Sequence, residues 1–218
     1  MLKTSRRYQS HELEEGQYEP GSHDRVLKNL LGIKKKREMN VIEFTSLSET
    51  MKNVLNQYDA DHRFTALDLC NIHSYWLGDM YAWAGDYRQV NMSKGGFHFA
   101  AATLIPKLMN DFENQQLKKF TPCSCVSQEE MIKALAEVHT EFILIHPFRE
   151  GNGRLGRLLA NLMAVQAGLP LLDFSGIKGE KRTEYFLAVQ AGIERNYTPM
   201  EKIFYSIIKR TLKGKNQS

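Results

Sequence analysis

The sequence predicts an all-α fold that carries one small β-hairpin, and two patterns support this prediction. Apolar residues recur at the spacing of amphipathic helices along most of the chain, in residues 40–57, 66–83, 101–118, 128–145, 158–165, 180–196 and 199–213. Residues 87–92 and 97–99 instead have the character of extended strands, and Gly95-Gly96 between them is typical of a hairpin turn. No internal repeat or change in composition marks a second domain, so one helical domain is expected.

Capping residues and glycines predict where several of these helices begin and end. Thr65 and Ser127 each precede an apolar segment and have an acidic residue three positions later, which is the pattern of a capping box. Gly85 is expected to end the helix that begins after Thr65. His73 lies on the apolar face of that helix and is expected to be a hydrogen-bonded interior histidine. Residues 26–32 are expected to form a compact helical turn that ends at a glycine.

Composition and charge argue against several classes of protein. The chain has 218 residues, of which 42% are apolar and 25% charged, as in a water-soluble protein with one sizeable core. A formal net charge of +4 is too small to predict nucleic-acid binding. Its three cysteines, two of them in Cys-Ser-Cys, fit neither a disulfide framework nor a zinc site, so reduced thiols and a cytoplasmic location are expected. There is no secretory signal and no apolar run of membrane-spanning length, so no membrane association is expected.

The residues most suited to chemistry are concentrated in the stretch from His146 to Arg157, between two apolar helical segments. The second helix is expected to begin near Asn152, so the free N–H groups of its first turn and the positive end of its dipole would face the preceding loop. Gly151 and Gly153 let the backbone curl closely around a phosphate. This stretch therefore predicts an anion-binding loop at a helix N-terminus.

The polar side chains of the same stretch suit nucleotidyl or phosphoryl transfer. Arg154 and Arg157 are three residues apart, so they share one face of a helix and can clamp a polyphosphate. Glu150 offers the oxygen ligands that Mg²⁺ prefers. Asn152 can donate to a phosphate oxygen, and His146 can take a proton from an incoming hydroxyl.

The stretch matches the motif H-x-F-x-[D/E]-G-N-G-R-x-x-R at every fixed position and so resembles the Fic family. The complete motif implies a protein AMP transferase, which moves AMP from ATP to a Ser, Thr or Tyr hydroxyl of a target protein, with self-modification as a side reaction. By the same resemblance His146 is the general base and Glu150 the Mg²⁺ ligand. The nucleotide-binding residues would be Gly151, Asn152, Gly153, Arg154 and Arg157. The related Doc-type kinases replace the Gly-Asn-Gly part, which this chain retains.

The resemblance also gives a role to the hairpin. In Fic proteins it forms a flap above the active site, and its edge would bind a target segment by main-chain pairing. The residues expected to form this docking flap are Ser93, Lys94, Gly95, Gly96 and Phe97. A plain connecting hairpin is the alternative. His98 is a poor candidate for a second base, because nothing in the sequence places it near the phosphates.

Many Fic proteins are inhibited by a helix of pattern [S/T]-x-x-x-E-[G/N], whose glutamate pairs with the second arginine of the motif. The best match in this chain is 11–16, which has His11 at the Ser/Thr position, and the register that starts at Ser10 does not fit fully either. An ion pair between Glu15 and Arg157 would be electrostatically sound, so Glu15 is a candidate inhibitory residue. A separate small antitoxin-like inhibitor, or no inhibitor at all, is the alternative.

The expected organisation is an N-terminal tail with an inhibitory helix at 1–16, a Fic domain at 17–212 and a polar tail at 213–218. Two other functions fit the same residues. The fold could transfer another nucleotide, because no motif residue reads the base, or it could be a nucleotide-sensing toxin or regulatory module. The target, the nucleobase and the oligomeric state, including a homo-oligomer, do not follow from the sequence.

Overall fold

A computed structural model describes residues 13–125 and 127–215 of the chain. The helices and strands follow in the order α1 (Lys36–Gln57), α2 (Ala66–Leu77), β1 (Ser93–Lys94), β2 (Phe97–His98), α3 (Ile105–Phe112), α4 (Lys118–Phe120), α5 (Gln128–Ile145), α6 (Asn152–Gln166), α7 (Glu180–Ala191) and α8 (Thr198–Lys215). Short 3₁₀ turns lie at Glu14–Gly16, Ala102–Leu104, Phe174–Gly176 and Gly192–Glu194, and a π-helical turn, Glu113–Leu117, joins α3 to α4. The predicted fold class, all-α with one hairpin, is confirmed.

The core is built around α5. Eleven of its 18 residues are buried, so apolar side chains point in nearly every direction and must be covered on several sides. Helices α3, α6, α7 and α8 provide that cover. Gly156 of α6 lets this helix approach closely, since a Cβ there would lie 3.1 Å from the side chain of Ile143. The loop at 146–151 is short and makes α5 and α6 neighbours, which leaves the anion-binding loop at one end of the core.

The hairpin has the predicted turn but very short strands. Ser93 pairs with His98 and Lys94 with Phe97 in antiparallel register. Gly95 and Gly96 both have positive φ, 57° and 82°, as a type I′ turn requires. Two residues a strand give little stability, so this hairpin depends on contacts with the helical core.

Two predicted helical segments differ in the structure. Helix α2 ends at Leu77 and not near residue 83, because the chain folds back on the helix after Gly78, where the N–H groups of Met80 and Tyr81 both donate to the carbonyl of Leu77. Residues 26–32 are not helical. Leu27 forms a β-bridge with Tyr18. The side chain of Asn29 bonds the backbone at 27 and 33, and so holds a turn in place of a helix.

The inward face of α1 is more polar than predicted. Phe44, expected in the apolar stripe, is 68% exposed, whereas Glu43 is buried. The reason is hydrogen bonding to α2. The indole N–H of Trp76 donates to the carbonyl of Glu43, and Ser46 Oγ donates to the carbonyl of Trp76.

The predicted boundaries of the domain, at residues 17 and 212, stay predictions. Helix α8 continues to Lys215, beyond the expected boundary at 212, and Glu15 is buried against the core. Ser10, His11 and the rest of 1–12 lie outside the described residues, as do 126 and 216–218. Within the described ranges, no helix combines the length and apolar character needed to cross a membrane.

A histidine in the core predicts a pH-dependent stability. His139 is buried between α6 and α7, where Nδ1 lies 3.1 Å from the carbonyl of Gly156 and Nε2 lies 2.8 Å from the hydroxyl of Tyr185. A carbonyl can only accept, so Nδ1 carries the proton and Nε2 accepts from the tyrosine. Burial lowers the pKa of His139 to about 4.

Because this pKa is lower in the folded state than in the unfolded state, the unfolded chain binds an extra proton between about pH 6.5 and 4. The stability contributed by His139 is therefore present above pH 6.5 and lost as the pH falls. We expect the contribution of His139 to the free energy of unfolding to fall by about 1.4 kcal/mol between pH 7.5 and pH 5.5. Urea unfolding of the parent and a His139→Gln variant at both pH values measures this difference, and an identical pH dependence in the two proteins would contradict it.

Candidate active site

His146 begins the anion-binding loop in a conformation that suits a general base. It caps α5 in the left-handed region, with φ 53° and ψ 59°. Its Nδ1 lies 3.2 Å from the carbonyl of Ile143, so Nδ1 carries the proton and Nε2 is left to accept one. Burial is the largest effect and lowers the pKa of His146 to about 4, helped by the charges of Arg88 and Lys94. The hydrogen bond to the Ile143 carbonyl and the charge of Glu150 oppose this shift but do not outweigh it. The imidazole is therefore neutral at physiological pH.

Aromatic rings hold both ends of the loop. Phe99, which follows β2, stacks on the His146 ring with centroids 3.7 Å apart. Phe148 is fully buried and stacks on His73 at 4.0 Å. His73 accepts from the N–H of Gly85 at Nδ1, so its Nε2 donates to the carbonyl of Glu150 at 3.1 Å. His73 is thus the hydrogen-bonded interior histidine that the sequence predicted.

Asn152 braces the loop from within. Its side-chain oxygen accepts from the N–H of Phe148 at 2.9 Å, and its amide donates to the carbonyl of the same residue at 2.7 Å. Asn152 is also 2% exposed, so its side chain is engaged in holding the loop and not available to a phosphate. Any contact of Asn152 with an anion is left to its backbone N–H.

The two glycines of the loop have different reasons to be glycine. Gly151 has φ 85°, and a Cβ there would lie 2.7 Å from the ring of Trp76. Both backbone conformation and packing therefore exclude a side chain. A Cβ on Gly153 would meet only Arg157, at 3.9 Å, so packing leaves that position open. The N–H groups of Asn152 and Gly153 have no acceptor in the described part of the chain and face the loop.

Glu150 is an ionised carboxylate with one oxygen engaged. Its Oε1 accepts from the N–H of Gly151 at 2.8 Å and from Arg154 at 3.3 Å. Burial raises the pKa of Glu150, but the Gly151 N–H and the charge of Arg154 outweigh it and lower the pKa overall. Oε2 makes no hydrogen bond within the described residues, and the side chain is 36% exposed.

Arg154 is fixed by a buried acidic residue that sequence reasoning missed. Its Nη1 lies 2.6 Å from Oε2 of Glu43, whose side chain is 1% exposed. The other oxygen of Glu43 accepts from the hydroxyl of Tyr81 at 2.7 Å, and the guanidinium also lies over the ring of Trp76. One side of Arg154 is therefore engaged by protein, and only its remaining donors can reach a ligand. Glu43 lies four residues after Met39 and eleven before Val54, on the inward face of α1, but a charged residue at such a position is not expected to be buried from an apolar pattern.

Arg157 has the opposite environment. No carboxylate lies within salt-bridge distance of it in the described ranges. Burial lowers the pKa of Arg157, and Tyr185 opposes this shift most among its neighbours. The hydroxyl of Tyr185 donates to His139, so the tyrosine oxygen can still accept from a cation. Burial raises the pKa of Tyr185 to about 12, which keeps it neutral. Arg157 thus keeps an uncompensated positive charge beside the loop.

These residues line one cavity of about 960 Å³. It contains His146, Glu150 to Arg154 and Arg157, together with Ser93, Lys94, Gly95 and Phe97 of the flap. Gly96, Glu15 and His98 are not among its lining residues. The far wall comes from α7 and was not predicted as part of the site. It includes Arg182, Thr183, Tyr185 and Phe186, and Lys94 of the flap lies 4.6 Å from the ring of Phe186.

Glu15 lies elsewhere, and the expected pair with Arg157 is wrong. The Glu15 carboxylate accepts from the N–H of Gln89 at 2.6 Å, and its carbonyl accepts from Arg149 Nε at 2.8 Å. These bonds place Glu15 beside Gln89 and Arg149, and not at Arg154 or Arg157. Residues 13–29 form an irregular strap, with a 3₁₀ turn at Glu14–Gly16 and Tyr18 bridged to Leu27. The rest of the segment expected to form an inhibitory helix, residues 1–12, lies outside the described residues.

The cavity of this helical domain brings together a neutral histidine, the N-terminus of α6 and a cationic wall. A family model described as Fic/DOC family matches residues 63–164, the part of the chain that carries the motif.

Three individual proteins illustrate the similarity. "Protein adenylyltransferase VbhT" of Bartonella schoenbuchensis is 28% identical over 192 residues, which are 86% of this chain but only 37% of that protein. The BepC protein of Bartonella tribocorum with bound AMPPNP superposes with a TM-score of 0.72 at 24% identity, covering 90% of this chain and 98% of that one. The N-terminal Fic domain of a Bep effector from Bartonella quintana with bound ADP superposes with a TM-score of 0.69 at 25% identity, over 89% of this chain and 94% of that one.

The two loop glycines provide a test that separates folding from ligand binding. We expect Gly151→Ala to destabilise the protein by about 1–3 kcal/mol, because it adds a left-handed alanine against Trp76. The free energy of unfolding of Gly153→Ala should lie within about 0.5 kcal/mol of that of the parent. We nevertheless expect it to weaken nucleotide binding about tenfold, because the sequence predicts that a phosphate binds close to this backbone.

Urea unfolding and calorimetry with AMPPNP measure the two effects on the same preparations. A Gly153→Ala variant that binds AMPPNP as the parent does would show that the phosphates do not approach this part of the loop.

Proposed function

We propose that this protein is a Mg²⁺-dependent protein AMP transferase that moves AMP from ATP to a hydroxyl of a protein substrate. The observation that carries the proposal is the arrangement of one cavity. A neutral His146 with Nε2 free to accept a proton faces the unpaired N–H groups of α6 and the uncompensated charge of Arg157. The names of the adenylyltransferase relative and the nucleotides in the similar structures agree with this chemistry.

In the proposed complex the phosphates of ATP lie along the loop. The N–H groups of Asn152 and Gly153, at the positive end of the α6 dipole, bind oxygens close to the reacting phosphorus. Arg157 binds the outer phosphates, together with the donors of Arg154 that Glu43 leaves free. Lys94 and Arg182 add positive charge from the flap and from α7.

The reaction itself needs a base and an in-line nucleophile. The flap edge places a target hydroxyl near His146, and Nε2 takes the proton of that hydroxyl. The hydroxyl oxygen forms a bond to the α-phosphorus while the bond to the bridging oxygen of the β-phosphate breaks. Pyrophosphate leaves, and AMP remains on the target as a phosphodiester. The loop contributes positioning and stabilisation of the developing charge.

The residues present fit a magnesium ion that is held largely by the nucleotide. Within the described residues there is no cluster of three or more His, Cys, Asp or Glu that could hold a metal ion, so a cation would bind Glu150 Oε2, phosphate oxygens and water. This ligand set is the one that Mg²⁺ prefers, and it would supply positive charge to the leaving pyrophosphate.

The proposal also extends to the cellular location of the reaction, its inhibition and the oligomeric state of the protein. The supply of ATP favours a cytoplasmic reaction. A small antitoxin-like protein that covers the cavity would be the source of inhibition, and a homo-oligomer is compatible with the same activity.

Labelled ATP separates the proposed reaction from its nearest alternatives. The protein is incubated with Mg²⁺, a cell lysate as the source of target, and ATP labelled on either the α- or the γ-phosphate. Label from the α-phosphate alone should reach protein. Transfer of γ-label would identify a kinase, and nucleotide binding without transfer of either label would favour a sensing module.

The base is tested in the same assay. We expect His146→Ala to lower the rate by about 10²–10⁴-fold, because the target hydroxyl then has no group to accept its proton. His98→Ala is a matched control, since His98 is an exposed flap histidine outside the cavity. Near-normal labelling by His146→Ala would contradict the role given to His146.

A further inference from the structure

Arg88 is a buried cation that the mechanism above does not use. It is 1% exposed, and in the described part of the chain it forms no salt bridge. A buried charge is costly unless its donors are satisfied, and the structure satisfies them with backbone carbonyls.

The carbonyls bound by Arg88 belong to two separate parts of the site. Where the chain leaves α5, Nε donates to His146 at 2.7 Å, Nη2 to Ile145 at 3.3 Å, and the Arg88 N–H to Pro147 at 2.8 Å. At the base of the flap, Nη1 donates to Val90 at 2.6 Å and Nη2 to Ala100 at 2.7 Å. The side chain of Arg88 thus links the carbonyls on either side of the hairpin to the backbone carbonyls at and before His146.

Two further contacts make this junction specific for His146. The residue is held at a positive φ of 53°, which a non-glycine residue adopts only when its surroundings impose it. The imidazole also stacks on Phe99, one residue before Ala100, with ring centroids 3.7 Å apart. Displacement of the flap base would therefore move the ring as well as the backbone of His146.

Glu15 completes the junction from behind. It is 7% exposed, and its carboxylate binds the N–H of Gln89, the residue after Arg88, while its carbonyl binds Arg149 of the loop. The attraction between the Glu15 and Arg88 charges raises the pKa of Arg88, whereas burial, the larger effect, lowers it to about 10. Glu15 therefore supplies negative charge next to a cation that otherwise has only neutral partners.

We propose that Arg88 is a positioning residue that keeps His146 and the target-binding flap in register, and that Glu15 supports it. The N-terminal strap then assists transfer and does not inhibit it. This inference rests on the proposed transfer reaction for its kinetic consequence. It concerns alignment of the base with the target hydroxyl and leaves the phosphate-binding loop unchanged, so it predicts a loss in rate at unchanged nucleotide affinity.

The test compares Arg88→Lys and Arg88→Met with the parent. Lysine keeps the charge but cannot reach all four side-chain-bound carbonyls, and methionine keeps the length without donors. At saturating ATP and a temperature at which each variant is folded, we expect α-phosphate labelling to fall about 10²-fold in Arg88→Met, with Arg88→Lys between it and the parent. AMPPNP affinity should stay within about threefold of the parent. A folded Arg88→Met variant that labels at the parental rate would overturn the proposal.

An independent readout does not require activity. The ring protons of His146, assigned with a His146→Gln variant, lie over the face of Phe99 and should have ring-current-shifted NMR signals in the parent. We expect Arg88→Lys to reduce that shift, and unchanged His146 signals would overturn the positioning role. If the parent transfers no label, the proposed function fails while this measurement still decides the role of Arg88.

A change at Glu15 distinguishes a supporting role from an inhibitory one. Loss of a supporting residue lowers the labelling rate, whereas loss of an inhibitory residue raises it. Glu15→Gln removes the charge and keeps an acceptor for Gln89. We expect it to lower labelling about 3- to 10-fold at unchanged AMPPNP affinity. Glu14→Gln is the control, since Glu14 is half exposed and pairs with the exposed Lys28. An increase in labelling for Glu15→Gln, with Glu14→Gln unchanged, would overturn the supporting role and restore an inhibitory one.

Discussion

The loop between α5 and α6 can bind an anion because the rest of the chain satisfies the backbone groups that do not face the cavity. A buried carbonyl or N–H without a partner is costly, and an irregular loop in the core has many of them. Side chains from three directions solve this problem: Arg88 from the base of the flap, His73 from α2 and Asn152 from within the loop. The N–H groups of Asn152 and Gly153, at the start of α6, have no acceptor among the residues that the structure describes. Since the surroundings already fix their direction, they need not reorganise when charge develops on a bound phosphate.

The charged side chains of the site also differ in whether the protein itself provides their partners. The two arginines of the motif are three residues apart on one helix, yet Arg154 is paired with a buried carboxylate and Arg157 faces a neutral tyrosine. Arg154 therefore contributes to the site largely by holding Glu150 Oε1, whereas Arg157 contributes free positive charge. His146 stays uncharged in this cationic environment, because burial and nearby cations both disfavour its protonation. A base that remains neutral beside arginines is available for proton transfer as soon as a hydroxyl reaches it.

Local pattern was enough to predict most of the helices, the hairpin turn and the loop between α5 and α6, because each depends on residues within a few positions of one another. It was not enough for Glu43, which is 111 residues from its partner Arg154 and is a carboxylate at an inward-facing position of α1. It failed in the same way for Arg88, whose partners lie up to 58 residues away, and for Glu15, which reaches Gln89 across 74. Arg182 and the rest of the α7 wall carry no local signal either. The contacts that assemble this site join segments that are distant in the sequence. Hydrophobic periodicity predicts which apolar side chains are buried, but it does not predict which charged side chains are.

The shortness of the hairpin makes this long-range support necessary. Two paired residues in each strand cannot hold a docked target segment rigidly by themselves. The stiffness must come from where the hairpin is attached, and both of its ends are bound by the side chain that also binds the backbone of His146. In the proposed reaction, a target segment that pairs with the flap edge is therefore positioned relative to His146 through the attachment of the hairpin, not through its tip. Sequence changes at the tip can then alter which segment binds without disturbing the geometry between a bound hydroxyl and Nε2 of His146.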